Sequence, residues 1–267
     1  MLCLLRANVS AHLAYFRRSR LLLGFGLVFL VILLLFTLPQ MLFVTHVTAF
    51  DVIRGTLREV ELFLVVFSAA LGLFLMSSHL RDRNLKMVFT KPCPPAVWLA
   101  SAFLAAILIS LFFQILITAV ALGTCLALGL RVQMGVLFVA FDSFAMCVGM
   151  IAYLSFLATA LHPVIAVVFV LFFNPSMFYQ LRIEMLGFIQ SGSKSLAIRI
   201  LEPFFQFLYM LLPIFHVFSD ETGSVYATLR VSHGQWARVF GAFGYDLALA
   251  ALCYCLSLFF LQRKRLI

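Results

Sequence analysis

Apolar residues along this chain fall into long runs separated by short polar breaks. Each run approaches the roughly 20 residues that a helix needs to cross about 30 Å of hydrocarbon with its backbone groups satisfied internally. The first, Leu21 to about Val44 (LLLGFGLVFLVILLLFTLPQMLFV), follows Arg17, Arg18 and Arg20. The second covers about Glu61 to Ser78. The third begins after Pro92, Pro94 and Pro95, at Val97, and extends toward Leu128 with no charge between Pro92 and Leu130. A helix of that reach exceeds the bilayer and tilts. The stretch from Val132 to Leu181 is too long for one crossing and contains His162-Pro163. Proline removes a donor and disfavours helix in the residue before it, so the pattern predicts span four over about Met134 to Leu161 and span five over about Val164 to Gln180. A last span runs from about Val239 to Gln262 and stops at Arg263-Lys264-Arg265. The expected fold is all-α, a polytopic membrane protein with six transmembrane helices.

The segments between the runs refine this map. Leu2, Leu5, Val9, Leu13 and Phe16 recur at helical spacing, with Arg6, Arg17 and Arg18 available to anionic headgroups. They predict an interfacial helix over 1–20, with a disordered basic leader as the alternative. The basic residues before the first run resemble the start of a secretory signal, and Val47-Thr48-Ala49 mimics a cleavage site. The apolar core is well beyond the roughly 7 to 15 residues of a signal, so a retained anchor is expected. Leu196 to Phe218 is apolar but carries Arg199, Glu202, Pro203 and Pro213, which predicts re-entrant or interfacial helices in an outer segment rather than a seventh span. The expected organisation is a single transmembrane domain: an interfacial helix (1–20), spans one to five (21–181), an outer segment (182–238), span six (239–262) and a tail (263–267).

Cations are retained on the cytoplasmic side. Six spans with both termini inside put Arg6, Arg17, Arg18, Arg20, Arg81, Arg83, Lys86, Lys91 and the tail cations there, leaving Arg54, Arg58 and Arg131 in short outer loops. A multi-pass protein of the cell membrane is expected.

Composition agrees. Of 267 residues 64% are hydrophobic and 11% charged, with a mean hydropathy of +1.13, far outside the range of a soluble domain. The formal charge of +9 does not point to nucleic acid, because the cations flank apolar runs instead of forming a basic stripe interleaved with stacking aromatics. Cys3, Cys93, Cys125, Cys147, Cys253 and Cys255 contain no C-x-x-C pair. Cys253 and Cys255, two apart on a helix, point about 200° away from one another and cannot share a metal ion.

Few residues offer chemistry. Asp142 is the acid deepest in an apolar stretch, about 10 Å from the outer end of span four at 1.5 Å per residue. A carboxylate there is costly. It lines the outer half of a translocation path, pairs with a cation such as Arg131, or makes a structural hydrogen bond to Ser143 or another helix. Asp246, near the outer end of span six, is expected at the interface and is a second path candidate. Met146, Met150 and Cys147 share a region of span four that suggests Cu(I), but methionines at helical spacing are ordinary packing, and no metal is expected. The histidines are scattered without H-E-x-x-H.

The remaining feature is SSHLRDRNLKMVFTKPCPPAVWLAS, residues 77 to 101. Anchoring of the flanking spans accounts for Arg81, Arg83 and Lys86. It does not account for Leu85, Val88 and Phe89 at i, i+3, i+4, which predict a short amphipathic helix closed by Pro92. With Asp82-Arg83 before it and Thr90-Lys91-Pro92 after it, this stretch resembles the permease subunits of type-two ABC exporters. Ala158 to Pro163 is similar to that family's tight link between helices four and five, Leu208 to Pro213 to its outer leucine-proline signature, and Phe259 to Leu266 to its basic tail. Asn84-Leu85-Lys86 stand where the family has glycine-threonine, and Ser101 where it has a cation. The nearest look-alikes are permeases associated with multicopper enzyme maturation.

The resemblance implies a transport subunit, not an enzyme. It would act as a homodimer coupled through Arg81, Asp82, Arg83, Leu85, Lys86, Val88, Phe89 and Lys91 to a separate cytoplasmic ATPase. That partner would bind ATP, since this chain has no G-x-x-x-x-G-K-[ST] and no cofactor of its own is expected. Val231 to Gln235 looks superficially like an ATPase signature but lies outside the membrane on this map. The competing classes are a polytopic enzyme with an intramembrane carboxylate site, and an assembly scaffold.

Overall fold

The computed structural model describes residues 2–18, 20–43, 59–79, 94–129, 135–161, 165–166, 203–204 and 233–265. Among them every regular element is helical: α1 (Leu2–Arg18), α2 (Leu21–Phe43), α3 (Glu59–His79), α4 (Pro95–Ala127), α5 (Gly135–Ala160) and α6 (His233–Arg265). Among the described residues three stretches are long and apolar enough to cross a membrane, Pro95–Ala127, Val139–Ala160 and Phe243–Arg263. A fourth results if Cys3–Arg18 and Leu22–Leu35, bent by 67° from one another, count as one broken span. The described residues therefore hold fewer than the six crossings expected. Phe63–Phe74 in α3 is a shorter apolar helix, and most of Val164–Gln180 and of 182–238 lies outside the described residues.

Local chemistry sets the helix ends. Pro94 and Pro95 open α4, where a missing N–H costs nothing. Gly129, at φ +67°, closes it in the left-handed conformation, its N–H donating to Leu126 O. With 33 residues, α4 is about 50 Å long at 1.5 Å per residue, so it projects beyond the hydrocarbon or tilts within it. Between α1 and α2 the chain turns at Arg20, at φ +56°, a conformation that costs a non-glycine residue roughly 1–2 kcal/mol. The last helix is longer than its apolar run. It begins at His233 rather than near Val239 and continues through Arg265, because no proline interrupts either polar flank and charged side chains are tolerated where the helix leaves the hydrocarbon.

Ring contacts give the direction of each helix. Phe25 packs on Phe67 at 4.7 Å and Phe29 on Phe63 at 6.2 Å, so α2 and α3 are antiparallel. Phe67 meets Phe113 at 4.9 Å, while Phe74 and Trp98 both lie against α1, so α3 and α4 are antiparallel. Phe141 meets Phe243 at 4.9 Å and Phe156 meets Phe260 at 6.2 Å, so α5 and α6 run in the same direction. The amphipathic α1 buries Val9, His12 and Phe16 beneath α3 and α4. It gathers at one end of the bundle with the start of α2, the end of α3 and the start of α4.

The bundle is apolar outside as well as inside. Leu23, Leu27, Leu35, Phe112, Ile115 and Phe259 are exposed, as suits a surface solvated by lipid. Burying apolar area gains little when the solvent is itself apolar, so packing depends on close approach. Gly72 of α3 provides it. A Cβ there would stand 2.9 Å from the Ile151 carbonyl oxygen and 3.1 Å from Ser155 Oγ on α5. Replacing Gly72 by valine should separate α3 from α5 and lower stability by about 1–3 kcal/mol, read as a lower midpoint of thermal unfolding in detergent. Gly123→Ala, where nothing lies within 4 Å of the new carbon, should leave the midpoint unchanged or raise it slightly.

Candidate functional site

The residues expected to couple to an ATPase, Arg81, Asp82, Arg83, Leu85, Lys86, Val88, Phe89 and Lys91, lie outside the described residues. The ends of the helices that bracket them do not. Tyr15 stacks on Phe74 at 5.9 Å near the end of α3, and His12 meets Trp98 edge-on at 5.8 Å in the first turn of α4. Both flanks therefore abut α1. The Tyr254 hydroxyl donates to Ala96 O at 2.8 Å, fastening α6 to the same turn of α4. Past that bond α6 continues for about 16 Å, at 1.5 Å per residue, to its terminal cations.

The expected path residues belong to α5 and α6. Asp142 and Ser143 occupy the third turn of α5, beside Phe141, which packs on Phe240 and Phe243 of α6. Asp246, one turn past Phe243, is within about a helical turn of their height. Ser143 is buried, and Asp246 is only 3% exposed. Asp246 faces the bundle, and the spacing explains why. Asp246, Leu249, Cys253, Ser257 and Leu261 recur every three or four residues and form the inward stripe of α6. The carboxyl heads that stripe. Cys253 is buried and Cys255 exposed, the opposite placement that their spacing predicts.

A second set of polar groups was not anticipated from the sequence. Ser68 of α3 and Ser110 of α4 share a hydrogen bond of 2.8 Å, buried between the helices. One turn further along α4, Gln114 is buried with its Oε1 lacking a hydrogen-bond partner, and Ser155 Oγ on α5 also lacks one. Other hydroxyls bond back to their own helix: Ser101 to Trp98 O, Thr124 to Val120 O, Thr159 to Phe156 O and Ser257 to Cys253 O. These need no neighbour, whereas Gln114 and Ser155 leave acceptor or donor capacity inside the bundle. Ser110 and Gln114, four apart in a charge-free run, were the available signal.

Among the described residues no group of three or more His, Cys, Asp or Glu side chains is placed to hold a metal ion. No family model matches the chain, and no curated protein or solved structure matches it.

The burial of Asp246 is open to direct measurement. On a background without the native cysteines, Asp246→Cys should resist a membrane-impermeant maleimide, while Ala237→Cys, at an exposed position near the start of α6, should label readily. Equal labelling would place residue 246 on a wet surface.

Proposed function

We propose that this chain is the membrane-spanning permease subunit of an ABC transporter, in which ATP hydrolysis by a separate cytoplasmic ATPase drives movement of a substrate, most simply its export. The active form is a dimer of two permease chains with two ATPase subunits in the cell membrane. The chain crosses six times with both termini in the cytoplasm. ATP belongs to the partner, and this chain performs no bond chemistry.

One observation carries the reading. α3 and α4, which bracket the Arg81–Lys91 stretch, meet α1 at the end of the bundle that also bears Arg17, Arg18 and Arg20, and the terminal cations of α6 extend beyond the same end. Cations mark the cytoplasmic face, so a lever between the second and third crossings would stand where a soluble motor can grip it. Six crossings also satisfy the shared direction of α5 and α6. A chain that spans twice in the same sense must cross back in between, and Val164–Gln180 is an uncharged apolar run in that interval.

A second reading, a membrane enzyme built on an intramembrane carboxylate, draws on the buried Asp246. Purification separates the two. Co-isolation with an ATPase whose hydrolysis rises on reconstitution supports the permease. Turnover by the chain alone supports the enzyme.

Two further outcomes are expected. The double charge reversal Asp82→Arg with Arg83→Asp should leave insertion intact and cut the rise in the ATPase's hydrolysis on reconstitution by about tenfold, ~1.4 kcal/mol in activation free energy. Stimulation equal to wild type would count against the docking role. Cysteines introduced at Lys91 and Ser193 should label from opposite sides of the membrane, and labelling from one side would overturn the six-span map.

A further inference from the structure

Between the α1–α2 elbow and α4 lies an open groove of about 520 Å³, with Leu13, Leu22, Leu23, Phe112 and Phe113 among its walls and Arg17 as the one charged residue lining it among those described. The volume is within the range of about 300–1,000 Å³ typical of small-molecule sites. Its geometry is that of an amphiphile. Arg17 stands in the last turn of α1, beside the exposed Arg18 and Arg20, and neither the first nor the last turn of α1 carries an acid. From there the apolar walls are Leu22 and Leu23 in the first turn of α2 and Leu108, Ile109, Phe112 and Phe113 of α4, and Phe29 against Phe113 at 5.2 Å closes the far end. A polar head would rest on the guanidinium, and the first part of an acyl chain would fill the slot against these side chains.

We infer that this groove is a binding site for an anionic phospholipid, with its phosphate on Arg17 and the start of one acyl chain between the first turn of α2 and α4. A groove facing lipid fills with some hydrocarbon in any case, because an empty one forfeits van der Waals contacts. Filling alone therefore selects nothing, since one acyl chain replaces another. Selection rests on charge. Each cation near the surface favours an anionic headgroup, and a guanidinium can grip phosphate through two parallel hydrogen bonds. The site does not depend on the transport reading, because it uses only the elbow and α4. It gives the left-handed turn at Arg20 a purpose, since the bend is what sets Arg17 over the apolar slot.

The full chain is reconstituted in phosphatidylcholine vesicles containing a small fraction of acyl-spin-labelled lipid, carried on phosphatidylglycerol in one series and on phosphatidylcholine in the other. The motionally restricted component of the spectrum reports lipid held by the protein. Wild type should hold the phosphatidylglycerol label in excess. Arg17→Gln should reduce that excess about fivefold, while Arg18→Gln, outside the groove, should reduce it clearly less. Three results would overturn the site. Equal restriction of both labels in wild type would remove the selectivity. Equal losses in the two arginine variants would assign it to diffuse surface charge. A disulfide between two chains bearing Phe112→Cys, formed in the membrane, would give the groove to a second copy.

Discussion

Hydrocarbon offers the peptide group nothing to bond to, and this single deficit governs the molecule. Each N–H and C=O that enters the bilayer must find its partner within its own segment, which leaves helices as the solution for a chain of long apolar runs. Among the described residues all regular structure is helix. The same deficit explains the ends. α4 starts on two prolines and stops at a left-handed glycine, residues that remove or redirect the backbone groups a terminus would otherwise leave exposed.

Once the helices exist, the usual driving force for assembling them is weak, because a leucine gains little by leaving a lipid tail for a protein interior. What remains is shape and the pairing of polar atoms. Aromatic rings interlock between neighbours from α1 to α6, Gly72 lets two backbones approach, and the Ser68–Ser110 bond joins α3 to α4. Every polar group placed inside is therefore informative. The buried Asp246 and the unpartnered atoms of Gln114 and Ser155 are where this bundle departs from simple packing.

Much of this architecture was legible from the order of residues. Span boundaries at Glu61–Ser78, Val97–Leu128 and Met134–Leu161 lie within a few residues of α3, α4 and α5, since charge and proline stop a buried helix sharply. The N-terminal amphipathic stretch forms the expected helix and buries Val9 and Phe16. What escaped reading is whatever depends on rotation about a helix axis. Asp246 lies near the end of its run, where the linear pattern does not say which way it faces. Only the inward stripe through Leu249 and Cys253 reveals that it faces the bundle. The Ser68–Ser110 pair required knowledge of how two helices are set against each other, and a linear pattern does not contain that.

The shared direction of α5 and α6 also orders events in time. α3 and α4 are near neighbours in sequence and can zip together as a hairpin soon after they emerge. α5 has no such option with α6, because its partner is synthesised only after a long intervening stretch. Until then α5 can rest on α3 through the close approach at Gly72, but Phe141 lacks the rings of Phe240 and Phe243. α6 is thus the helix that completes this seam, and a chain cut short before His233 would leave the α6-facing side of α5 uncovered.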